Sequence, residues 1–527
     1  MPSSQSPAIQ FAPGVVRDEA NTDGAILMSN ETPNSDISAL RIRLINDQPI
    51  NAGGDFVLYW MIANRRVNWN YSLQRAVDWA KHLGKPLLVF EPLRCKYRWA
   101  SDRLHHFVIQ GMADNQLTLK KSSVSYLPYL ETQPDAAKGL IESLASQSCL
   151  VITDDFPCFF LPKMVSNVGR RLTVRLESVD SNGILPMRQT DRVFSRAFDF
   201  RRHLQKTVKP FLLEAPKPNP VSRLKLPPLG QLPESIIHRW PAADVEALSN
   251  SAVNLRDFPI DHSVSAVETC GGSTEAQRVL KRFVQSRIAR YCERNQPQQE
   301  IASGLSPYLH FGHMSAHQVF HEATSREDWT VAKTADTTTG SSTGWWGTSE
   351  SLESFLDELI TWREIGYNMC SKRNDFHRFE SLPDWAQKTL NEHASDHRPF
   401  AYDLGEFESA KTHDPLWNAA QVQLLREGRI HNYLRMLWGK KILEWSEHPR
   451  YALATMIELN NKYALDGRNP SSYSGIFWVL GRYDRAWGPE REIFGKIRYM
   501  SSDNTTRKVR VKEYIQQYSP SSQPTLS

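Results

Sequence analysis

Cysteine is scarce in this chain. The six in 527 residues (Cys95, Cys149, Cys158, Cys270, Cys292 and Cys370) are scattered, with no CxxC and no cluster. That spacing excludes a zinc ribbon, an iron–sulfur cluster and a disulfide scaffold, and it suits a reducing compartment. No apolar run approaches the length of a membrane span, about 18 residues, and no signal-peptide core is present. A soluble protein is therefore expected, cytoplasmic, or nuclear or organellar in a eukaryotic host. No GxGxxG opens a helical stretch, which removes the dinucleotide fingerprint. Excess charge is also modest. With 63 Lys and Arg against 58 Asp and Glu, the net charge is +5, which permits an anionic partner without demanding one. The bases are unevenly spread, however. Lys496, Arg498, Arg507, Lys508, Arg510 and Lys512 face a single acid, Asp503, and Arg278 to Arg290 repeats cations at helical spacing; either stretch could equally be a solvated helix face.

Residues 1–50 are rich in Ser, Pro, Asn and Asp without a sustained apolar period, which predicts a disordered tail. Over residues 51–185, apolar runs (DFVLYWMI, PLLVFEP, SYLPYL, CLVITDD, TVRLESVD) alternate with helical stretches. Such alternation predicts an α/β domain with a doubly wound, Rossmann-like parallel sheet. Residues 186–272 contain a proline-dense stretch between Lys209 and Trp240 and are assigned to an interdomain connector. From 273 to 518 the period is that of an all-helical domain, followed by a tail at 519–527. Within it, TADTTTGSSTGWWGTSE (Thr334 to Glu350) is expected to be a mobile surface loop, although the Trp345–Trp346 pair is out of keeping with one.

Several motifs in the helical part could carry chemistry, and each has a plainer structural reading. The small and hydroxyl residues before Pro307 could hold a phosphate, or simply cap a helix. His313, His317 and His321 recur at every fourth residue, but no carboxylate or Cys completes a metal set, and they read as surface histidines. Glu358 and Trp362, four apart, share one helical face, an arrangement that suits a flat polar substrate and also suits ordinary packing. Five of the fifteen tryptophans lie between Thr412 and Met500. Trp438 and Trp445 fall on one face of a helix about 10.5 Å apart, and Trp417 precedes the neighbouring helix. Indoles are readily oxidised, so a file of them could conduct electrons; equally, three core aromatics would look the same. Arg435, amid these aromatics, needs a counter-ion, and Asp466 in the DGRNP turn is the candidate. Asn460 and Asn461 could merely cap a helix.

Taken together, GLSPYLHFG, FLDELITWREIGYN, KTHDPLWNAAQ, EGRIHNYLRMLWGKKILEWS, LNNKYALDGRNPSSYSGIFW and DRAWGPEREIFGKIRYM resemble the cryptochrome/photolyase superfamily, specifically class II cyclobutane pyrimidine dimer photolyases. The α/β half matches more loosely, through LYWM and the alternation. The resemblance implies one FAD in the helical domain, active when reduced, with Tyr291, Ser303, Gly304, Leu305 and Ser306 at its phosphates and sugar. It implies an Arg435–Asp466 salt bridge beside the isoalloxazine and Asn460 at flavin N5, where an amide could serve either protonation state by rotating. Trp438, Trp417 and Trp445 would form the electron-transfer chain, in that order outward. The implied reaction is light-driven: an electron passes from excited reduced FAD to a flipped-out dimer, opens the cyclobutane ring and returns. Glu358 would hydrogen-bond the pyrimidine carbonyl, Trp362, Trp478 and Met436 would cradle the dimer, and Arg498 would fill the gap in UV-damaged DNA. A monomer is expected, without metal, and an antenna chromophore such as a deazaflavin or a folate is left open. Trp487 is taken as structural.

The chain departs from class II members at Asn432, where they commonly carry Gly, in a shorter loop after Trp478, and in the Thr334 to Glu350 insertion. The histidine pair of a (6-4) photolyase is not evident. A cryptochrome-like photosensor that keeps FAD without repair is the alternative, and a non-enzymatic nucleic-acid binder a third. The photosensor has no need of the Glu358, Trp362 and Trp478 set, and the binder does not require Trp417, Trp438 and Trp445 in register with Arg435, Asn460 and Asp466.

Overall fold

The five apolar runs form strands, and the reason is visible in their burial: every residue of the central pair is shielded on both faces, as a parallel sheet covered by helices requires. In a computed structural model describing residues 32–519, the strands are β1 (Ile42–Leu44), β2 (Phe56–Trp60), β3 (Leu87–Leu93), β4 (Ser125–Leu130), β5 (Ser148–Asp154) and β6 (Leu176–Val179). Their order is β1-β6-β5-β2-β3-β4. β2 to β6 pair in parallel, and β1 closes one edge antiparallel to β6. Crossover helices Tyr71–Leu83, Asp102–Leu119, Leu140–Gln147 and Leu161–Gly169 connect them. The first is capped by the Asn70 side chain, which accepts from the Ser72 and Leu73 N–H groups.

β1 lies within the region expected to be a disordered tail. Order begins earlier than composition suggested because Arg41 is fully buried and its guanidinium donates to the carbonyls of Asp180, Gly183 and Ile184. One buried guanidinium, bonded through Nη1 and Nη2 to three carbonyls, holds this edge. The remainder of the expected tails, residues 1–31 and 520–527, lies outside the described residues.

The strand order reverses between β2 and β5. There the Asp154 carboxylate accepts from the backbone N–H of Ile62, Ala63 and Asn64 and from the Tyr59 hydroxyl, which ties the turn after β2 to the end of β5. In open α/β sheets the crevice beyond the strands' carboxyl ends at such a point is where ligands bind, and a cavity of about 560 Å³ lies there, lined by Trp60, Leu93, Phe156 and, from the helical part, Phe311 and Arg468. The proline-dense stretch crosses the helix side of this sheet as a strap. The Trp69 N–H donates to Pro218, the Lys217 N–H to the Gln74 amide, and the Ser123 hydroxyl to Leu224.

From Ser273 onward the elements are helical. Arg103 joins this part to the sheet by donating to the carbonyls of Leu424, Leu425 and Tyr463, where two helices end and leave carbonyls free. Glu364 joins it again, accepting the N–H groups of Ile184 and Leu185. Burial pushes that carboxyl up to about 7, against Arg363 and the two N–H donors.

Two expectations about surface segments need correction. His313 and His317 are buried, not surface residues. His313 stacks on Phe107 and accepts the Gly272 N–H, while His317 meets Tyr71 edge-on. Burial drives the His313 imidazole down to about 3, as desolvation of a cation dictates. Among the described residues no three His, Cys, Asp or Glu side chains converge as a metal set, and no helix is long and apolar enough to cross a membrane. Nor is the Thr334 to Glu350 segment a free loop. Trp345 and Trp346 are 2% and 4% exposed, and the N–H groups of Gly344, Trp345 and Trp346 all donate to the Glu353 carboxylate. The indole pair is the plug that seats the insertion.

Candidate active site

A second cavity, of about 390 Å³, opens among the helices. Seven segments spread between residues 291 and 478 converge on it. Tyr291 comes from a 3-10 turn (Ile288–Glu293), Ser303, Leu305 and Ser306 from the turn that starts the short Ser306–His310 helix, and Glu358 and Trp362 from the next long helix. Arg435, Met436 and Trp438 lie on the Asn432–Glu444 helix, Asn460 on Pro449–Tyr463, and Trp478 on Pro470–Val479; all of them, with Asp466, line the cavity. Gly304 sits between two lining residues at φ +73°, a backbone region that side chains with a Cβ rarely adopt.

Arg435 and Asp466 form the pair that the stripe of aromatics called for, with Nη2 to Oδ1 at 2.9 Å and Nη1 to Oδ2 at 3.3 Å. Burial pushes the Asp466 carboxyl up, but Arg435 and the Ser306 hydroxyl outweigh it and hold the group below its usual value. It is a fixed anion beside a fixed cation in a half-dry pocket, where both are stronger than in water.

Glu358 sits in different surroundings. Its segment, Asp357–Trp362, is a π-helical turn inside a longer helix, so its hydrogen bonds reach one residue further than the α-helical spacing predicts. Arg201 holds Asp357 through two bonds of 2.7 and 2.8 Å. Burial raises the Glu358 carboxyl above its ordinary value, opposed by Arg294, whose Nη2 donates to Oε1 at 3.0 Å. Sequence reasoning missed Arg294. It also bonds Ser354 and covers the Tyr291 ring at 4.7 Å, and its place three residues after Tyr291, one turn on, was the available signal.

The tryptophans separate by exposure. Trp438, Trp417 and Trp445 are at most 3% exposed. Trp438 and Trp417 lie parallel, 4° apart, with centroids at 6.5 Å, and Trp417 meets Trp445 at 6.1 Å and 68°. Helix spacing alone leaves a gap between Trp438 and Trp445, and Trp417 bridges it from the Pro415–Glu427 helix. Its orientation is fixed by an Nε1 bond to the Trp438 carbonyl, and that of Trp438 by one to Gln421. Trp362 and Trp478, which also line the cavity, are half-buried. Behind Trp478 lies Lys440, fully buried, its ammonium 5.3 Å from the indole and donating to Val479 at 2.5 Å. Arg498 is outside the cavity lining. Its Nε bonds Asp484 at 2.9 Å, and its guanidinium lies 4.1 Å over Trp487 and 5.5 Å from Trp478. Trp487, bonded to the same Asp484, lies under Arg498 as a structural platform.

The sheet, strap and helical part share their arrangement with photolyases and cryptochromes. A class III photolyase from Agrobacterium tumefaciens superposes with a TM-score of 0.61 at 17% identity, covering 88% of this chain and 86% of its own. A cryptochrome from Synechocystis sp. PCC6803 gives 0.65 at 14%, over 88% of each. No family model matches. In sequence, the deoxyribodipyrimidine photo-lyase of Methanothermobacter thermautotrophicus is 32% identical over 91% of this chain and 98% of its own length. Those of Arabidopsis thaliana and Potorous tridactylus are each 31% identical, over 90% and 91% of this chain and 92% and 84% of theirs. The chain belongs to the deoxyribodipyrimidine photo-lyase family.

Proposed function

We propose that this chain repairs cyclobutane pyrimidine dimers in UV-damaged DNA, driven by light, with FAD held in the 390 Å³ cavity. The observation that carries the reading is a single juxtaposition. One cavity gathers the Arg435–Asp466 pair, the Asn460 amide, a raised Glu358 carboxyl with two partly exposed indoles, and Trp438, the head of the tryptophan file.

The donor set suits FAD. Tyr291, Ser303, Gly304, Leu305 and Ser306 would hold its diphosphate and sugar, since hydroxyls and the N–H groups of a helix-opening turn bind phosphate oxygens. Arg435 and Asp466 would flank its ring system and Asn460 would face N5. When bound, FAD supplies the one-electron, light-driven chemistry that splits the dimer. The remaining roles fall to the protein. A dimer must leave the duplex to reach the cavity, and its weak stacking lowers that cost. Trp362 and Trp478 would stack on it, with Met436 against it. Glu358 donates to a pyrimidine carbonyl where negative charge develops; its raised carboxyl favours the proton that this bond requires. Arg498 would enter the gap left in the duplex, with Lys496 to Lys512 on phosphates, where cations position without reading sequence. Trp438, Trp417 and Trp445 would pass electrons inward for photoreduction.

The 560 Å³ cavity at the sheet's switch point, walled by Trp60, Phe90 and Phe159, suits a flat antenna pigment of deazaflavin or folate type. Placement in class II rests on the Trp438–Trp417–Trp445 order, and the functional divisions follow as 51–185, 186–272 and 273–518. A photosensor without repair would have no use for Glu358, Trp362 and Trp478 in one cavity. Purified FAD-loaded protein with UV-irradiated DNA is expected to lose dimers under blue light and not in the dark. Equal dimer counts in both arms would refute repair, and protein lacking flavin absorption would refute the cofactor reading.

A further inference from the structure

Trp445 ends the tryptophan file without opening to solvent. It is 3% exposed, so an electron vacancy arriving there is screened from reductants in the medium, and the electron it gave up has time to return. Among the described residues three rings meet Trp445: Trp417 at 6.1 Å, His413 at 4.8 Å and Tyr402 at 5.9 Å between centroids. Trp417 is the preceding member of the file, and imidazole is harder to oxidise than indole. Tyr402 is the remaining one, an oxidisable phenol, half-buried, at a spacing no longer than the 6.5 and 6.1 Å steps inside the file. Its backbone N–H donates to the Trp445 carbonyl at 3.0 Å, which holds the phenol edge-on to the indole at 80°. A phenol is a good electron donor only where its proton leaves with the electron, because losing the electron alone creates a strongly acidic cation. Tyr402 has a base at that place. Its hydroxyl oxygen lies 2.7 Å from His413 Nδ1 and accepts the His413 backbone N–H at 3.0 Å. His413 is exposed and its ring stacks on Phe400 at 3.7 Å. A neutral imidazole protonated on Nε2 presents Nδ1 as an acceptor.

We propose that Tyr402 is a fourth member of the relay and its terminal electron donor, with His413 Nδ1 taking its proton. When photoreduction has left Trp445 one electron short, Tyr402 supplies that electron; its O–H bond breaks and the proton crosses the 2.7 Å hydrogen bond. The indole is restored, the phenol becomes a neutral phenoxyl radical, and the imidazole becomes imidazolium. A thiolate in the medium then returns one electron, the imidazolium returns the proton, and two thiyl radicals combine as a disulfide. The step moves the vacancy from a buried ring to one beside an exposed histidine, and it separates the charges by one more ring. The inference rests on the reading that Trp438, Trp417 and Trp445 pass electrons inward, and it extends that file to the surface.

Full-length protein loaded with oxidised FAD is excited by a laser flash without added reductant, and the radicals are identified by transient absorption and by electron paramagnetic resonance of frozen samples. Wild type is expected to pass from an indolyl to a phenoxyl signal, more slowly in D₂O than in H₂O. Tyr402→Phe keeps the ring and deletes the hydroxyl. It is expected to lose the phenoxyl signal, to stop at the indolyl radical and to recombine faster, while its retained flavin absorption shows an intact fold. His413→Asn, whose amide reaches as far as Nδ1 but is barely basic, should slow the indolyl-to-phenoxyl step and leave the arrival of the vacancy at Trp445 unchanged. A phenoxyl signal that persists in Tyr402→Phe, or a wild type that stops at the indolyl radical, would overturn the proposal. Wild-type kinetics in His413→Asn would refute His413 as the proton acceptor. If the flash yields neither radical in wild type, the underlying reading of the tryptophan file fails instead.

Discussion

Replacing Lys440 by Met should make the protein more stable at neutral pH and leave it unchanged at high pH. The ammonium is fully buried behind Trp478, and burial pulls it from the ordinary 10.5 down to about 7, with Asp484 opposing and Arg498 adding to the fall. Asp484 is already paired with Arg498, so no carboxylate is reserved for the lysine. Because the folded value lies below the unfolded one, the unfolded chain binds more protons between those values, and the lysine's contribution to stability improves as pH rises. At 1.36 kcal/mol per unit, ionisation costs the folded state roughly 4 kcal/mol at about pH 7 and roughly 1.5 kcal/mol at about pH 9.5. Met retains the apolar stem and deletes the titration, but forfeits the bond to Val479, about 1 kcal/mol. The expected gain is thus about 3 kcal/mol near pH 7 and close to nothing near pH 9.5. Denaturation midpoints of FAD-loaded wild type and Lys440→Met at the two pH values measure it. A variant less stable than wild type at neutral pH, or an equal difference at both pH values, would refute the reasoning and make the buried ammonium a net stabiliser of the Pro470–Val479 helix end.

Trp417→Phe should slow flavin photoreduction strongly, because it removes the indole lying 6.5 and 6.1 Å from its two neighbours, while repair by chemically reduced protein stays near wild type; transient absorption and dimer counting read the two arms, and unchanged photoreduction would remove Trp417 from the relay. Glu353→Ala should leave the two buried N–H groups of Trp345 and Trp346 without their acceptor and release the exposed Gly344 N–H to water, costing about 2 kcal/mol or more, and should open the Thr334 to Glu350 segment to proteases. Resistance to cleavage equal to wild type would mean that the two indoles alone seat the insertion.

The sheet was legible because its strands are long apolar runs at regular spacing, and the composition of each carried its burial. β1 was not, since three residues paired at an edge leave no period, and what holds them is Arg41 meeting three carbonyls more than a hundred residues away. The tryptophans show the same limit. Helical spacing aligns Trp438 with Trp445, but the indole between them comes from another helix, and only the family resemblance set Trp417 in that order. Arg294 escaped notice because an arginine three residues past a tyrosine is common, and its meaning comes from Glu358, which a fold must bring to it. His313 and His317 were misjudged for a related reason: a sequence shows their period, but not the sheet-side residues Phe107 and Tyr71 that cover them.

The π turn at Asp357–Trp362 has a consequence for the helix as a whole. Such a turn is an α-helix carrying one additional residue, and one residue is worth about 100° of rotation. The helix therefore runs in two phases. Ahead of the turn Glu353 faces the insertion, at its first residue Asp357 faces Arg201, and behind it Glu364 faces the N–H groups of Ile184 and Leu185. Deleting a single residue between 357 and 362 would restore uniform α-geometry and bring both halves into one phase. Glu364 would then swing away from the sheet side, or Asp357 from Arg201, and no rotation of the whole helix could recover both. A polypeptide that tolerates a long insertion before this helix should not tolerate the loss of one residue within it.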